Sequence, residues 1–173
     1  NPRFRINNHA FLQYIIAIEN EKNQFGWITE SDSELAIFSR RNRNTVTNKI
    51  SFNYTFNPKT YIKLIARHYW STIENFNFYN LTNDGNLNNI NYLENENINF
   101  NTWNIDLNFS WEYQPGSLLS IVWQNQLTNE SDEINKFFLN NINEFFENIP
   151  TNIFSIKFTC YLDYLDLKPN KNK

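Results

Sequence analysis

Apolar and polar residues alternate one by one over long stretches of this chain. Over residues 101–113, Trp103, Ile105, Leu107, Phe109, Trp111 and Tyr113 take every second position, with Thr102, Asn104, Asp106, Asn108, Ser110 and Glu112 between them. Side chains of an extended chain point alternately to two faces, so this spacing gives a strand with one apolar and one polar face. Helical steps would scatter the same residues around the axis. Residues 45–56 repeat the pattern with Val46, Ile50, Phe52, Tyr54 and Phe56, interrupted at Asn48. Residues 60–71 carry it with Ile62, Leu64, Ala66 and Trp70, blurred by Ile65 and His68. Leu119, Ile121, Trp123 and Leu127 mark 118–127, and Phe154, Ile156, Phe158, Cys160, Leu162 and Tyr164 mark 153–165. Leu12, Tyr14, Ile16 and Ile18 mark 9–19. The pattern predicts one all-β antiparallel unit over residues 1–173, with about six long strands.

The connections sharpen this picture. Asn57-Pro58-Lys59 and Gln114-Pro115-Gly116-Ser117 read as tight turns, with Pro where a fixed φ helps and Gly where the chain must bend. Between them lie longer excursions, Glu21 to Asn44, Ile73 to Phe100 and Thr128 to Asn152, which are expected to be loops emerging at one end of the sheet. Short turns at one rim and long loops at the other are the pattern of transmembrane β-barrels. Strands of about 11 to 13 residues also exceed the usual globular length of about 5 or 6. The expected architecture is therefore a transmembrane β-barrel segment with short periplasmic turns and long extracellular loops. The strand at His9 rises and that at Val46 descends, as does the last. Bacterial barrels start at about eight strands, so further strands are expected from upstream sequence or another chain.

On this reading Tyr54, Phe56, Trp70, Trp103, Trp111, Tyr113 and Trp123 form a lipid-interface aromatic belt. Lys49, Lys63, Arg67, Asp106, Glu112, Lys157 and Asp163, with Glu19, lie on the lumen side as a salt-bridged, hydrated surface. Within the last long connection, Ile134, Phe137, Phe138, Ile142, Phe145 and Phe146 recur at three or four residues, and Pro150 follows. An amphipathic helix is expected within Asp132 to Asn148, packed on the barrel mouth.

Composition narrows the partners. Aromatics are 17% of the chain, with 16 Phe, 9 Tyr and 5 Trp against only 3 Gly and no Met, so ring surface is plentiful and phosphate-cradling loops are not. A net charge of −3 offers no broad basic field for nucleic acid. The basic run Arg40-Arg41-Asn42-Arg43 is read as a solvated loop or a link to Glu30, Asp32 and Glu34, in preference to a site for anionic lipopolysaccharide. No apolar run approaches the ~20 residues of a membrane helix, which leaves strands as the means of crossing. The single Cys160 excludes an intrachain disulfide and a multi-cysteine metal site.

Catalytic signatures are missing as well. His9 and His68 have no metal-ligand spacing and read as structural imidazoles with satisfied hydrogen bonds. No G-x-S-x-G, Ser-His-Asp arrangement or phosphate loop occurs, and a carboxylate dyad cannot be picked from so many loop acids. The expectation is no catalytic, cofactor or metal residues. Glycosylation sequons at Asn53, Asn80 and Asn129 carry no weight in so Asn-rich a chain. The polar Asn1-Pro2-Arg3 opening carries no signal peptide, so a removed signal or a longer parent chain is expected.

Several phrases, taken in order, carry a resemblance: Phe38-Ser39-Arg40-Arg41-Asn42-Arg43-Asn44-Thr45-Val46; Ala66-Arg67-His68-Tyr69-Trp70-Ser71; Trp111-Glu112-Tyr113-Gln114-Pro115-Gly116-Ser117 running on to Val122-Trp123; and Phe154-Ser155-Ile156-Lys157 leading to Tyr161-Leu162-Asp163-Tyr164. Together they resemble the C-terminal outer-membrane barrel of a Bacteroidota family known as domain of unknown function 5916. The resemblance implies a bacterial outer-membrane location, contact with outer-membrane lipid and complex subunits, and a link to surface glycan handling, transport or export. It also implies a carbohydrate-binding family 9-like domain upstream of the barrel, outside these residues, so sugar binding transfers to none of them. Unlike many outer-membrane proteins, the chain runs on past its last strand through Lys168 to Lys173. Two expectations of other classes stand beside it. One is a soluble all-β carbohydrate- or protein-binding module with Trp103, Trp111 and Trp123 stacking on sugar rings; the other is a glycoside hydrolase, which needs two carboxylates across a cleft.

Overall fold

Neighbouring strands that alternate in phase can share one apolar face, and this shared face organises the fold. The computed structural model describes residues 2–30, 35–134 and 137–163. Its elements are β1 (Arg3–Arg5), β2 (Ala10–Glu30), β3 (Ala36–Asn57), β4 (Thr60–Leu81), β5 (Leu87–Ile90), β6 (Ile98–Gln114), β7 (Ser117–Ser131), α1 (Phe138–Phe146) and β8 (Thr151–Thr159). All strands join one antiparallel sheet in the order β1-β2-β3-β4-β6-β7-β8, with β5 folding back onto the far end of β4. Among the described residues no hydrogen-bonded pair joins β8 to β1 or β2, so hydrogen bonds between them do not close the sheet.

Eight strands are present where alternation picks out about six. The two additions, β1 and β5, have three and four residues, too few for a period-two signal to register. The other difference is length. The expected loop from Glu21 to Asn44 is almost all strand, because β2 continues to Glu30 and β3 begins at Ala36. Likewise β4 runs on to Leu81, and only 82–97 connects it to β6. Alternation fails along these extensions because bulges re-phase the strands, between Glu21 and Gln24, between Trp27 and Thr29, and between Arg40 and Arg41. Asn23 takes a positive φ of 57° inside the first of them.

The turns at one end are tight. Residues 58–59 join β3 to β4, and residues 115–116 join β6 to β7 with Gly116 at φ +75°, the left-handed region that glycine enters without steric cost. The β1–β2 connection, residues 6–9, also lies at this end, whereas the connections from β4 to β6 and from β7 to β8 lie at the other, and the latter contains α1 close to where its apolar spacing places it. Past Thr159 the last strand gives way to a segment that crosses the Gln114–Ser117 turn, where the Tyr161 amide donates to Ser117 Oγ at 2.9 Å. Tyr164 and Leu165, read as the end of that strand, lie outside the described residues.

The sheet is a single layer. Among the described residues, Ala10, Ile37, Ala66, Leu127 and Phe145 are the buried apolar side chains, and Ile18, Phe154, Ile156 and Phe158 on the same sheet are more than half exposed. The chain exposes 12549 Å², against about 9000 Å² for a compact monomer of this mass. A single layer leaves both of its faces open, and among the described residues nothing covers the apolar one apart from α1.

Candidate functional site

Register places the alternating residues of six strands into rows across the sheet. Leu12, Phe52, Leu64, Leu107, Trp123 and Phe154 form one such row, each paired with the next. The rows above and below it on this face contain Tyr14, Ile50, Ala66 and Ile105, and then Ala10, Tyr54, Ile62, Phe109, Ile121 and Ile156. Further up come Ile16, Asn48, His68, Trp103 and Leu127, then Ile18, Val46 and Trp70. The band therefore spans nine residues in β2, β3, β4, β6 and β7, such as Trp103 to Trp111 in β6, and five in β8, from Phe154 to Phe158, with the paired Asn125 and Asn152 interrupting it in the row of Ile105. At ~3.4 Å per residue the longer span is ~27 Å along the strand, or ~21 Å at a tilt of ~40°, close to the ~25 Å apolar band of a membrane barrel.

Of the seven aromatics singled out from the sequence, six fall on this face toward its two borders. Trp70 and Trp103 lie toward the end with the long connections; Tyr54, Phe56, Trp111 and Tyr113 lie beside the tight turns. Edge-to-face contacts link Tyr54 with Phe56 at 4.8 Å and Trp111 with Tyr113 at 5.9 Å. Trp123 is placed differently, opposite Leu107 in the middle row of the band and away from either border, where its ring stacks on Phe154 at 6.0 Å and its Nε1 donates to Asn152 Oδ1 at 3.0 Å.

The opposite face is polar along the same height. Lys49 pairs with Arg67, Arg67 with Asn104 and Asn104 with Gln126; one row nearer the turns, Ser51, Ile65, Asp106 and Gln124 follow. Lys63 and Lys157 belong to this face, opposite Asn108 and Ser120, and Glu19 lies opposite Thr45. The sheet brings two of the expected charges together: Arg67 donates to Asp106 Oδ2 at 2.6 Å, and Gln124 Nε2 donates to Asp106 Oδ1 at 2.9 Å. The hollow they line measures ≈120 Å³, too small for a substrate of any size. Glu112 instead accepts from the Gly116 amide at 3.1 Å and braces the turn, while Asp163 lies beyond β8 and joins no strand row.

The basic run is not a loop. Arg40, Arg41 and Arg43 belong to β3, where Arg40 lies 5.2 Å above the Phe25 ring and Arg43 donates to Tyr69 Oη at 2.9 Å. The Arg41 guanidinium covers the backbone of Gly26, in space that a side chain there would fill. Of the acids first considered as partners, Asp32 and Glu34 lie outside the described residues. The imidazoles differ too. His9 Nδ1 is 2.8 Å from Thr55 O, whereas His68, buried beneath α1 between Phe138 and Phe145, leaves Nε2 without a partner. Among the described residues no group of three His, Cys, Asp or Glu could hold a metal ion.

One cluster was invisible in the sequence. Asn141 of α1, 3% exposed, accepts at Oδ1 from Asn99 Nδ2 at 3.0 Å and Asn101 Nδ2 at 3.1 Å, and donates to Asn101 Oδ1 at 2.7 Å. Trp70 Nε1 donates to Asn99 Oδ1 at 2.8 Å, which ties the border tryptophan into the same network. This amide clamp holds α1 against the apolar face at its upper border. In a chain so rich in Asn, nothing in the composition marks these three.

Comparison with known proteins gives one match. The family model described as Domain of unknown function (DUF5916) matches residues 1–171. No curated protein and no solved structure matches the chain.

Proposed function

The chain belongs to the family described as domain of unknown function DUF5916, and from that premise we propose that its strands are part of a bacterial outer-membrane β-barrel with a non-catalytic, transport-related role. The observation that carries this reading is the apolar band, in phase across six strands, nine residues high in five of them and bordered by aromatics, on a sheet whose other face is mainly polar. Water would leave that face uncovered, at a cost of ~25 cal/mol for each Å² of apolar surface; lipid removes the cost. The polar face then lines the lumen, and the Arg67–Asp106–Gln124 network satisfies its charges there.

The open edges extend the proposal. A backbone N–H or C=O left unpaired in hydrocarbon costs several kcal/mol, so β8 and the part of β2 beyond Gln13 each require a partner strand. Those strands come from upstream sequence or another chain, and the closed barrel meets outer-membrane lipid and other subunits of a complex, in a Bacteroidota-type setting linked to surface glycan handling or export. A soluble sugar-binding module with Trp103, Trp111 and Trp123 as its platform fits less well. Trp103 lies against Phe146 of α1 at 5.5 Å, and Trp123 is already stacked on Phe154.

The test is expression with the native upstream sequence, followed by membrane fractionation and gel migration with and without boiling. Recovery in the outer membrane with a heat-dependent shift supports the proposal. A cooperative monomer in buffer without detergent contradicts it.

A further inference from the structure

Above the apolar band the same face changes chemistry within one register step. Ile18, Val46 and Trp70 lie side by side in β2, β3 and β4; the next row on this face is Asn20, Asn44 and Thr72, continued in β6 by Asn99. At this border lies a groove of ≈570 Å³, lined on its polar side by Asn20, Asn44, Thr72, Glu74 and Asn97. Its apolar side is Trp70, with Val46 and Ile134. The volume falls within the range of about 300–1,000 Å³ in which small-molecule sites occur.

Two features bear on what it can hold, the solvent-exposed polar groups of Asn20, Asn44 and Glu74 on one side and the fixed Trp70 indole on the other. The side chains of Asn20, Asn44 and Glu74 make no hydrogen bond to any described residue, so their donors and acceptors are available to a ligand. The indole of Trp70, by contrast, is held in place, by Nε1 donating to Asn99 and by the Phe138 ring 5.5 Å away. A fixed aromatic surface beside unpaired amides and one carboxylate suits a ring with an apolar C–H face and a rim of hydroxyls. Among the described residues no Lys or Arg lines the groove, and Glu74 opposes an anion, which disfavours phosphate and acidic groups. A single carboxylate gives little purchase to a divalent cation.

We propose that this groove binds a neutral or amino-bearing pyranose ring, stacked against Trp70 and hydrogen-bonded by Asn20, Asn44 and Glu74. The sugar is either the headgroup of a glycolipid, since the groove lies at the border where the apolar band ends, or a free saccharide. The groove is built from β2, β3 and β4 with Asn97 and Ile134 of the adjoining connections, and exists whether or not the band lies in lipid.

The experiment is calorimetric titration of the protein, joined to its upstream sequence and folded in a detergent without sugar headgroups. The probes are methyl glucoside, glucosamine, glucuronate and, in a second arm, a short-chain glucosyl lipid. The expected result is saturable binding of methyl glucoside and glucosamine near the millimolar range, with glucuronate at least ~5-fold weaker. Asn20→Ala with Asn44→Ala weakens both ligands by about tenfold or more, and Glu74→Gln brings glucuronate level with the glucoside. These residues lie clear of the Asn141 clamp, so the variants keep the fold, which heat-dependent gel migration verifies. Binding of the glucosyl lipid more than ~10-fold tighter than the free sugar identifies a headgroup, and equal affinity a free saccharide. Absence of saturable binding in both arms up to about 100 mM sugar, or binding that neither variant changes, overturns the proposal and leaves the lipid-facing band untouched.

Discussion

The two ends of the sheet are made from the same strands, yet only one of them announces itself in the sequence. From the tight turns up to Ile18, Val46 and Trp70, one face is apolar and the other polar without a bulge in the β3–β4 pairing between Arg41 and Thr55. Beyond that border, β2 and β3 remain paired as far as Glu30 and Ala36, but two bulges re-phase them, a third re-phases β3 against β4, and polar residues occupy both faces. The backbone hydrogen bonding is of one kind throughout; the surroundings are not. Alternation thus reports a difference between the environments on the two sides of a strand, and a strand with the same medium on both sides has no reason to show it.

That contrast explains what could be read in advance. The strand positions of the lower half, the two-residue turns and α1 were legible because each rests on a local pattern with a physical cause. The extensions from Glu21 to Glu30 and from Ala36 to Asn44 look like loop because Asn, Arg and Glu sit on both faces. Of the candidate residues, the sequence could assign Arg67 and Asp106 to one face. It could not show that they lie one register step apart and form an ion pair. The Asn99, Asn101 and Asn141 clamp and the Asn20–Asn44–Thr72 row depend on register between distant segments, which no local pattern encodes.

The largest test of the contrast is a charge placed in each half. Ile105→Arg, at mid-height on the apolar face, is expected to lower stability in lipid by about 2–4 kcal/mol. Asn77→Arg, exposed in the upper part of β4, should stay within about 0.5 kcal/mol. Urea titration of both proteins refolded in vesicles measures the difference, and equal effects would remove the distinction between the halves.

Next in size is the clamp at the border. Asn141→Ala leaves the buried amides of Asn99 and Asn101 short of partners, at a cost of about 1–3 kcal/mol. The loss should appear as faster hydrogen exchange in α1, with the lower rows of β6 still protected. At the turns, Gly116→Ala forces a side chain into φ +75° and brings its Cβ to 3.1 Å from Tyr161 Cβ, worth about 1–2 kcal/mol. That effect should be read as a lower denaturation midpoint with unchanged border contacts. The smallest change belongs to the polar face. Arg67 and Asp106 are 44% and 36% exposed, so solvent screens the pair and Asp106→Asn should cost less than about 0.5 kcal/mol. A markedly larger loss would mean that the polar face is drier than a hydrated lumen.

The most direct test of the central claim is the depth-resolved quenching of single probes by lipid-borne nitroxides. Cys160 is replaced by Ser, and a fluorophore is attached in turn at each position from 103 to 111 in the protein refolded into vesicles with its upstream sequence. The account predicts strong quenching at 105, 107, 109 and 111, deepest near 105 and 107, an intermediate value at 103 beside α1, and weak quenching at the even positions between them. Uniformly weak quenching along the series, or quenching that favours the even positions, would contradict it.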